Sequence, residues 1–376
     1  METSVPTQTR AKSKTIATDK KVVRIGVVGC GAIAQRRHLA EGVLRDDVKI
    51  VAVCDPKPGR AEQIAARFNV PKFYLDHQTM FAAGGIDAAV ICTPNALHAS
   101  HSIDALAAGF HVLVEKPMAT TLADARAMIA AAEKAGRFLM VGQNQRLMAA
   151  HRKARAILQS GSLGKVLNFQ TTFKHGGPDG WSVDGARSWF FQKELAAMGV
   201  CGDLGVHKID LIMFLLGEDI TDINGFVGTL NKTYPGTDRL IDVDDTAFFS
   251  VKTQSGAIGT INLSWTHYGH LEDNGTTIYC ERGVMSVATD PTYSLAVHYR
   301  DGTKEFHQTG RIASNTQQTN SGVIDQFVTS ILTNTPPDID GREGLRSLQV
   351  ILGGLESAAT GKSASLKLEP RTATSR

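Results

Sequence analysis

A carboxylate, an imidazole and an ammonium group suffice to help oxidise an alcohol, and Asp203, His207 and Lys116 offer them. Asp203 and His207 stand four residues apart in a stretch, Cys201 to Leu216, that reads as a helix. That spacing predicts one shared face, about one turn apart. His207 would accept the hydroxyl proton, since an unperturbed imidazole titrates near pH ~6.5. Asp203 would orient the substrate or the imidazole. Lys116 follows a strand, at the edge where open α/β sheets bind ligands, and its cation would stabilise a developing alkoxide. Asp210, three residues past His207, is expected on the same face, as a substrate ligand or a group behind one. From spacing alone, a local ion pair on a helix surface is the plainer reading of Asp203 and His207, and an exposed charge that of Lys116.

The oxidation also needs a hydride acceptor, and the N-terminal region offers a place for one. Gly29-Cys30-Gly31-Ala32-Ile33-Ala34 follows a strand-like run and opens a helix. Gly29 would permit the tight turn, and Gly31 would let the backbone approach a pyrophosphate. Ala34 is small enough for close helix–sheet packing, and the helix N–H groups would meet the phosphates. Asp55 ends the second predicted strand, 26 residues after Gly29. A carboxylate there accepts hydrogen bonds from the adenosine ribose of NAD and repels the extra phosphate of NADP, so NAD is the expected cofactor. In the simpler alternative the glycines only shape a turn and Asp55 caps the next helix. A methyltransferase-like fold also carries glycines after its first strand, but the continued alternation downstream argues against it.

These groups need elements to position them. Val22–Val28, Val48–Cys54, Ile86–Cys92, His111–Val114 and Phe138–Val141 read as strands. Helical stretches separate them, including Asn95–Ala108 and Thr121–Ala135. This alternation predicts parallel βαβ units. Past Gln143 the pattern changes. A helix near Ala149–Leu158 and a strand Val166–Phe173 precede the Cys201–Leu216 helix. Between Ile220 and Phe306 the alternating apolar runs predict an antiparallel sheet with one covered face. Helical periodicity returns at Val323–Leu332 and Leu345–Thr360. The fold class is therefore α/β: a Rossmann dinucleotide-binding domain over residues 21–144, then an α+β domain with a largely antiparallel open sheet over residues 145–376. Residues 1–20, rich in Thr, Lys, Ser and Ala, read as a disordered tail.

Composition narrows the function classes. With 376 residues, 42% of them apolar, the chain can bury a core without metal or disulfide staples. A net charge of +3 with interleaved signs points away from nucleic acid. No run approaches the ~20 apolar residues of a membrane span, and residues 1–20 lack the apolar core of a secretory signal. Cys30, Cys54, Cys92, Cys201 and Cys280 form no CxxC pair, which fits a reducing, cytoplasmic setting. Cys201, Asp203, His207 and His267 lack the closed ligand spacing of a zinc site, so no metal is expected.

Four separated motifs resemble the glucose-fructose oxidoreductase and inositol dehydrogenase family (Gfo/Idh/MocA). They are the glycine turn, Thr93-Pro94-Asn95 with His98, Glu115-Lys116-Pro117, and Asp203-Leu204-Gly205-Val206-His207 with Asp210. The similarity runs from about Val22 to Leu368 and includes the late segment GREGLRSLQVILGGLESAATGK. It implies that Lys116 lies close to the nicotinamide and the reacting hydroxyl, and that Asp203 and His207 are active-site residues. It also implies that Thr93, Pro94, Asn95, His98 and Glu115 run beside the cofactor, that the Lys116–Pro117 bond is cis, and that the protein is a homodimer or homotetramer. The implied activity is reversible NAD-linked oxidation of a secondary hydroxyl of a sugar, cyclitol or sugar derivative, with hydride passing to nicotinamide C4.

Two departures stand out. Met198-Gly199-Val200-Cys201-Gly202 replaces the run of glycines common before the active-site aspartate, and KHGGPDGWSVDGARSWF matches no general motif. Trp181, Trp189, Trp265 and Tyr268 could line a sugar cleft or fill a core. Arg187 and Arg146 could hold an anionic group if the substrate is a sugar acid or nucleotide sugar. Rival readings are a redox-assisted glycoside-modifying enzyme, which would release an aglycone, and a non-catalytic dinucleotide-binding sensor, against which the retention of Lys116, Asp203 and His207 speaks.

Overall fold

The computed structural model describes residues 21–269, 272–309 and 320–371; the tail expected over residues 1–20 lies outside the described residues. Strands β1 (Val23–Val28), β2 (Val48–Cys54), β3 (Phe73–Tyr74), β4 (Ala88–Ile91), β5 (His111–Val114) and β6 (Leu139–Val141) form one sheet, ordered β3-β2-β1-β4-β5-β6. All its neighbours run parallel. The apolar runs explain this. Helices cover both faces, so Ile25, Val27 and Val28 are buried on either side of β1. Each such side chain contributes roughly 1.5–3 kcal/mol relative to exposure. Strand order reverses between β1 and β4, which opens a crevice at the carboxyl ends of the strands. The Lys116–Pro117 peptide bond is cis.

The second sheet holds β7 (Val166–Lys174), β8 (Ile220–Gly228), β9 (Thr246–Thr253), β10 (Ile258–Ser264), β11 (Thr276–Cys280), β12 (Gly283–Val287), β13 (Leu295–Tyr299), β14 (Lys304–His307) and β15 (Ala364–Ser365). Its order is β14-β13-β12-β11-β7-β10-β9-β8-β15. It is antiparallel except where β7 lies parallel to β10, because β7 is inserted between two strands that come later in the chain.

The segment read as a single helix from Cys201 is a π-helical turn, Cys201–Gly205, leading into an α-helix, Val206–Leu216. This helix is buried along nearly its whole length, including Lys208 and Asp210. It therefore has no solvent face on which to display a row of polar side chains. The last long helix starts at Gly341 rather than Leu345, because the Asp340 carboxylate caps the backbone N–H groups of Arg342 and Glu343. It touches both domains. Gly344 packs on Val141 and Met118 of the Rossmann domain, and Gly354 packs on Ile223 and Phe249 of the second sheet. The C-terminal region thus returns to the first domain and fixes the cleft between the two. Strand β3 and the short helix His77–Ala82 give no periodic signal because they are too brief.

Candidate active site

At the adenosine end of the cleft, Gly29 has φ +91° and a Cβ there would stand 2.6 Å from the Cys92 carbonyl oxygen. Only glycine fits that turn. A Cβ at Gly31 would meet nothing within 4 Å. The two glycines therefore do different work: one closes the turn, the other leaves open space beside the backbone. The Asp55 carboxylate accepts hydrogen bonds from the backbone N–H groups of Cys30 and Lys57, both at 2.9 Å. It ties the second strand's end to the glycine turn and, though buried and outside the cleft lining itself, keeps lone pairs for further hydrogen bonds.

A cleft of about 920 Å³ runs from this turn to the second domain. Gly31, Ala32, Ile33, Thr93, Asn95, His98, Glu115, Lys116, Asp203 and His207 all line it. Asn95 Nδ2 donates to the Ala196 carbonyl at 2.9 Å, joining the domains. The His98 ring is wedged between the carbonyl oxygens of Pro117 and Thr93, at 2.7 and 2.8 Å, and so braces the segment that carries Lys116. Pro94 sets the extended backbone before the turn at Asn95 without lining the cleft.

Glu115 is buried against Arg37 at 3.0 Å and His38 at 2.7 Å. Burial would push its carboxyl up, but Arg37 and His38 overcome that and hold it well below the usual range. Lys116 Nζ donates to Asp203 Oδ1 at 2.8 Å and to the Asp203 carbonyl at 2.9 Å, bridging the two domains at the cleft floor. Trp265 Nε1 donates to the other carboxylate oxygen, Oδ2, at 3.1 Å. His175 Nε2 stands 3.6 Å from the same oxygen, and the ring's Nδ1 accepts from the Gly177 N–H. Burial works against the charged form of Asp203, yet Lys116 and His175 hold its pKa well below the ordinary value.

His207 is buried at the cleft wall beside Phe173, their ring centroids 6.0 Å apart. Burial, then the charges of Lys116 and Arg37, push its pKa well below that of a free imidazole. That direction favours the neutral imidazole near neutral pH. Among the described residues no hydrogen bond joins it to Asp203, and its Nδ1 has no partner. The expectation that Asp203 orients this imidazole is thus corrected: the carboxylate holds Lys116 instead. The π-helical turn widens the backbone between the two residues, so four-residue spacing does not place them edge to edge.

Two further expectations are corrected. Asp210 does not reach the cleft. Its carboxylate accepts from Arg146 at 2.7 and 2.6 Å, and Arg146 also donates to Glu343 at 2.7 Å. These charges are sealed behind the Val206–Leu216 helix, because every side of that helix is packed. Arg187 is exposed and does not line the cleft. Trp181, Trp189 and Phe190 do line it, with Trp189 stacked on Phe190 at 3.9 Å. Trp265 is fully buried behind Asp203, and Tyr268 is 63% exposed. Sequence reasoning missed the roles of His175, Trp265, Arg37 and His38, whose partners lie far away in the chain. Among the described residues no three His, Cys, Asp or Glu side chains converge on a metal-sized site, and no helix is long and apolar enough to cross a membrane.

Residues 23–143 match the family described as oxidoreductase family, NAD-binding Rossmann fold, and residues 151–286 match the GFO/IDH/MocA C-terminal domain. The chain belongs to the Gfo/Idh/MocA family. It is 31% identical over 252 residues to scyllo-inositol 2-dehydrogenase (NAD(+)) of Bacillus subtilis (strain 168), covering 66% of this chain and 69% of that protein. It is 29% identical over 255 residues to D-glucoside 3-dehydrogenase of Escherichia coli (strain K12), covering 65% of this chain and 70% of the relative. The fold matches that of levoglucosan dehydrogenase in complex with NADH, with a TM-score of 0.82 at 22% identity, over 93% of this chain and all of that one. As a member of the family, the chain is an NAD-linked oxidoreductase of a sugar, cyclitol or related hydroxylated substrate.

Proposed function

We propose that this enzyme oxidises one secondary hydroxyl of an uncharged ring sugar, glycoside or cyclitol. The observation that carries the reading is the cleft floor, where Lys116 is fixed on Asp203 beside a neutral His207. The bound nicotinamide supplies the hydride acceptor. His207 takes the hydroxyl proton, which its neutral form is ready to accept. Lys116 stabilises the alkoxide as it forms, and Asp203, held by Trp265, keeps the ammonium in place. Trp181, Trp189 and Phe190 give the cleft aromatic surface, which suits the apolar face of the ring. Neither Arg187 nor Arg146 lines the cleft, so neither is placed there to hold the carboxylate of a sugar acid. The named substrates of the two relatives, an inositol and a glucoside, support the same class.

In this reading Gly31, Ala32 and Ile33 face the cofactor's phosphates. Asp55 meets the adenosine ribose, while Thr93, Asn95 and Glu115 flank the nicotinamide side. A panel of free sugars, glycosides, inositols and sugar acids, each followed by the absorbance of reduced nicotinamide, tests it. Turnover confined to the sugar acids would reject the uncharged class.

The enzyme is also proposed to be a cytoplasmic homodimer or homotetramer. Five thiols without a disulfide support the compartment. Phe226 and Phe248, cross-strand neighbours on β8 and β9, are 83% and 49% exposed, and they support assembly through the second sheet. Sedimentation of the native chain and of Phe226→Asp tests this; a monomeric native protein would reject it.

A further inference from the structure

The Rossmann domain alone gives two conflicting signals about its cofactor. Asp55 at the end of β2 is the carboxylate that favours a ribose 2′-hydroxyl. Five residues on, Arg60 brings a guanidinium to 3.8 Å from that same carboxylate, and Lys57 lies between them in sequence. An arginine beside this position is what accommodates the 2′-phosphate of NADP. By its own residues the first domain could take either cofactor.

The second domain alters that balance. The segment after β7 crosses the cleft, and its Asp184 reaches the Rossmann domain. There the carboxylate accepts from Arg60 at 2.6 Å and from Lys57 at 2.5 Å. Arg60 and Asp184 are about four-fifths buried in this contact, and both line the cleft. Although burial works against its charged form, Lys57 and Arg60 keep the Asp184 carboxyl below its ordinary range. Two cations and two carboxylates are thereby balanced at the adenosine corner. A 2′-phosphate, bringing close to two further negative charges, would have to displace Asp184 from Arg60 or crowd in beside it.

We propose that Asp184, supplied by the second domain, is a positioning residue that sets the preference for NAD by occupying the two cations which would otherwise bind the 2′-phosphate of NADP. The inference rests on the dinucleotide reading of the glycine turn. It also assigns a purpose to part of the segment that matches no general motif.

The same segment provides an internal control. Its other anchor is Asp179, which receives Lys232 Nζ at 2.8 and 2.9 Å within the second domain. Loosening that anchor frees the segment without discharging Arg60.

The test is fluorescence titration of the full chain with NADH and NADPH. In Asp184→Asn the ratio of NADPH to NADH dissociation constants is expected to fall about tenfold, the equivalent of one modest charge-assisted contact. Asp179→Asn should leave the ratio unchanged, and Asp184→Glu should restore it. Asp184→Ser should match Asp184→Asn, so a poorly folding variant does not end the test. Adding Arg60→Gln to Asp184→Asn should erase the gain in NADPH affinity. If Asp184→Asn and Asp184→Ser weaken both cofactors by one factor, leave the ratio unchanged, or shift it no more than Asp179→Asn does, Asp184 merely holds the segment down and the proposal is overturned. If the unmodified chain binds neither cofactor, it is the reading of the glycine turn that fails.

Discussion

Two buried ion pairs flank the helix Val206–Leu216, and they are chemically alike. Lys116–Asp203 joins the domains on the cleft side. Arg146–Asp210 joins the same helix to Glu343 of the last long helix. Each carboxylate accepts well-placed hydrogen bonds, and each is shielded from water. They differ in what lies beside the cation. Lys116 borders the cleft and has room for an oxygen to approach, whereas Arg146 is closed in by the carboxylates of Asp210 and Glu343. A buried charge acts on a substrate only if some of its hydrogen-bonding capacity remains open; otherwise it serves the fold. The two glycines of the first turn repeat the contrast, Gly31 beside open space and Gly29 against a carbonyl.

The strongest way to break this comparison is to change one side at a time. On the cleft side, His207→Ala is expected to lower kcat about 10²–10⁴-fold, the usual contribution of a general base. NADH affinity and thermal stability should be nearly unchanged. Steady-state kinetics beside a binding titration check this, and undiminished turnover on a good substrate would remove His207 from its role. On the sealed side, Arg146→Met should cost about 3–5 kcal/mol of stability, because Asp210 then stays buried without its cation while Glu343 keeps only the more distant Arg346. Turnover per folded molecule should hardly move. Chemical denaturation reads the first quantity and active-site-normalised kinetics the second; a stable but inactive variant would dissolve the distinction.

The glycines sharpen it. Gly31→Val should fold normally and lose most NADH affinity, since its side chain enters the open space. Gly29→Ala should instead destabilise the fold, by about 1–3 kcal/mol for the strained conformation alone. Denaturation midpoints and NADH titrations of the pair decide between these outcomes.

The pH dependence is the smallest effect. The folded-state pKa of His207 is depressed, so its basic form persists as pH falls through ~6.5, and kcat/KM should not decline there. Stability behaves differently. His98, His151 and His207 are buried and depressed, with His151 brought down to about 3 by burial and then Lys208. Below pH ~6.5 the unfolded chain binds protons at these sites that the folded chain does not, so stability present above that pH is progressively lost on acidification. Denaturation curves at pH 7.5 and 5.5, roughly a unit either side of the free imidazole value, should show the loss. An acid limb in kcat/KM centred at the free value would place the base in a more solvated setting.

Much of this was legible in the residues. The buried parallel strands announced themselves as apolar runs of strand length, and the glycine turn was readable because its requirement is local: a tight turn, then bare backbone. Lys116, Asp203 and His207 could be nominated from short motifs. What could not be read was which group partners which. Asp203 and His207 sit near one another in sequence yet turn to different neighbours, Trp265 and Phe173, across a π-helical turn that no spacing rule anticipates. Asp210 looked like a third member of the site and is a structural anchor, because helix periodicity says nothing about what surrounds a fully enclosed helix.

The sequence by itself determined the main alternation of strands and helices and the tight glycine turn, since both depend on near neighbours along the chain, and its short motifs nominated Lys116, Asp203 and His207. Only the tertiary structure decided that Lys116 rests on Asp203, that Arg146 is unavailable to a substrate, and that Asp184 reaches Arg60. Those pairings join residues 64 to 124 positions apart. Charge and hydrogen bonding depend on distance in space, which two packed domains set jointly and neither segment encodes alone.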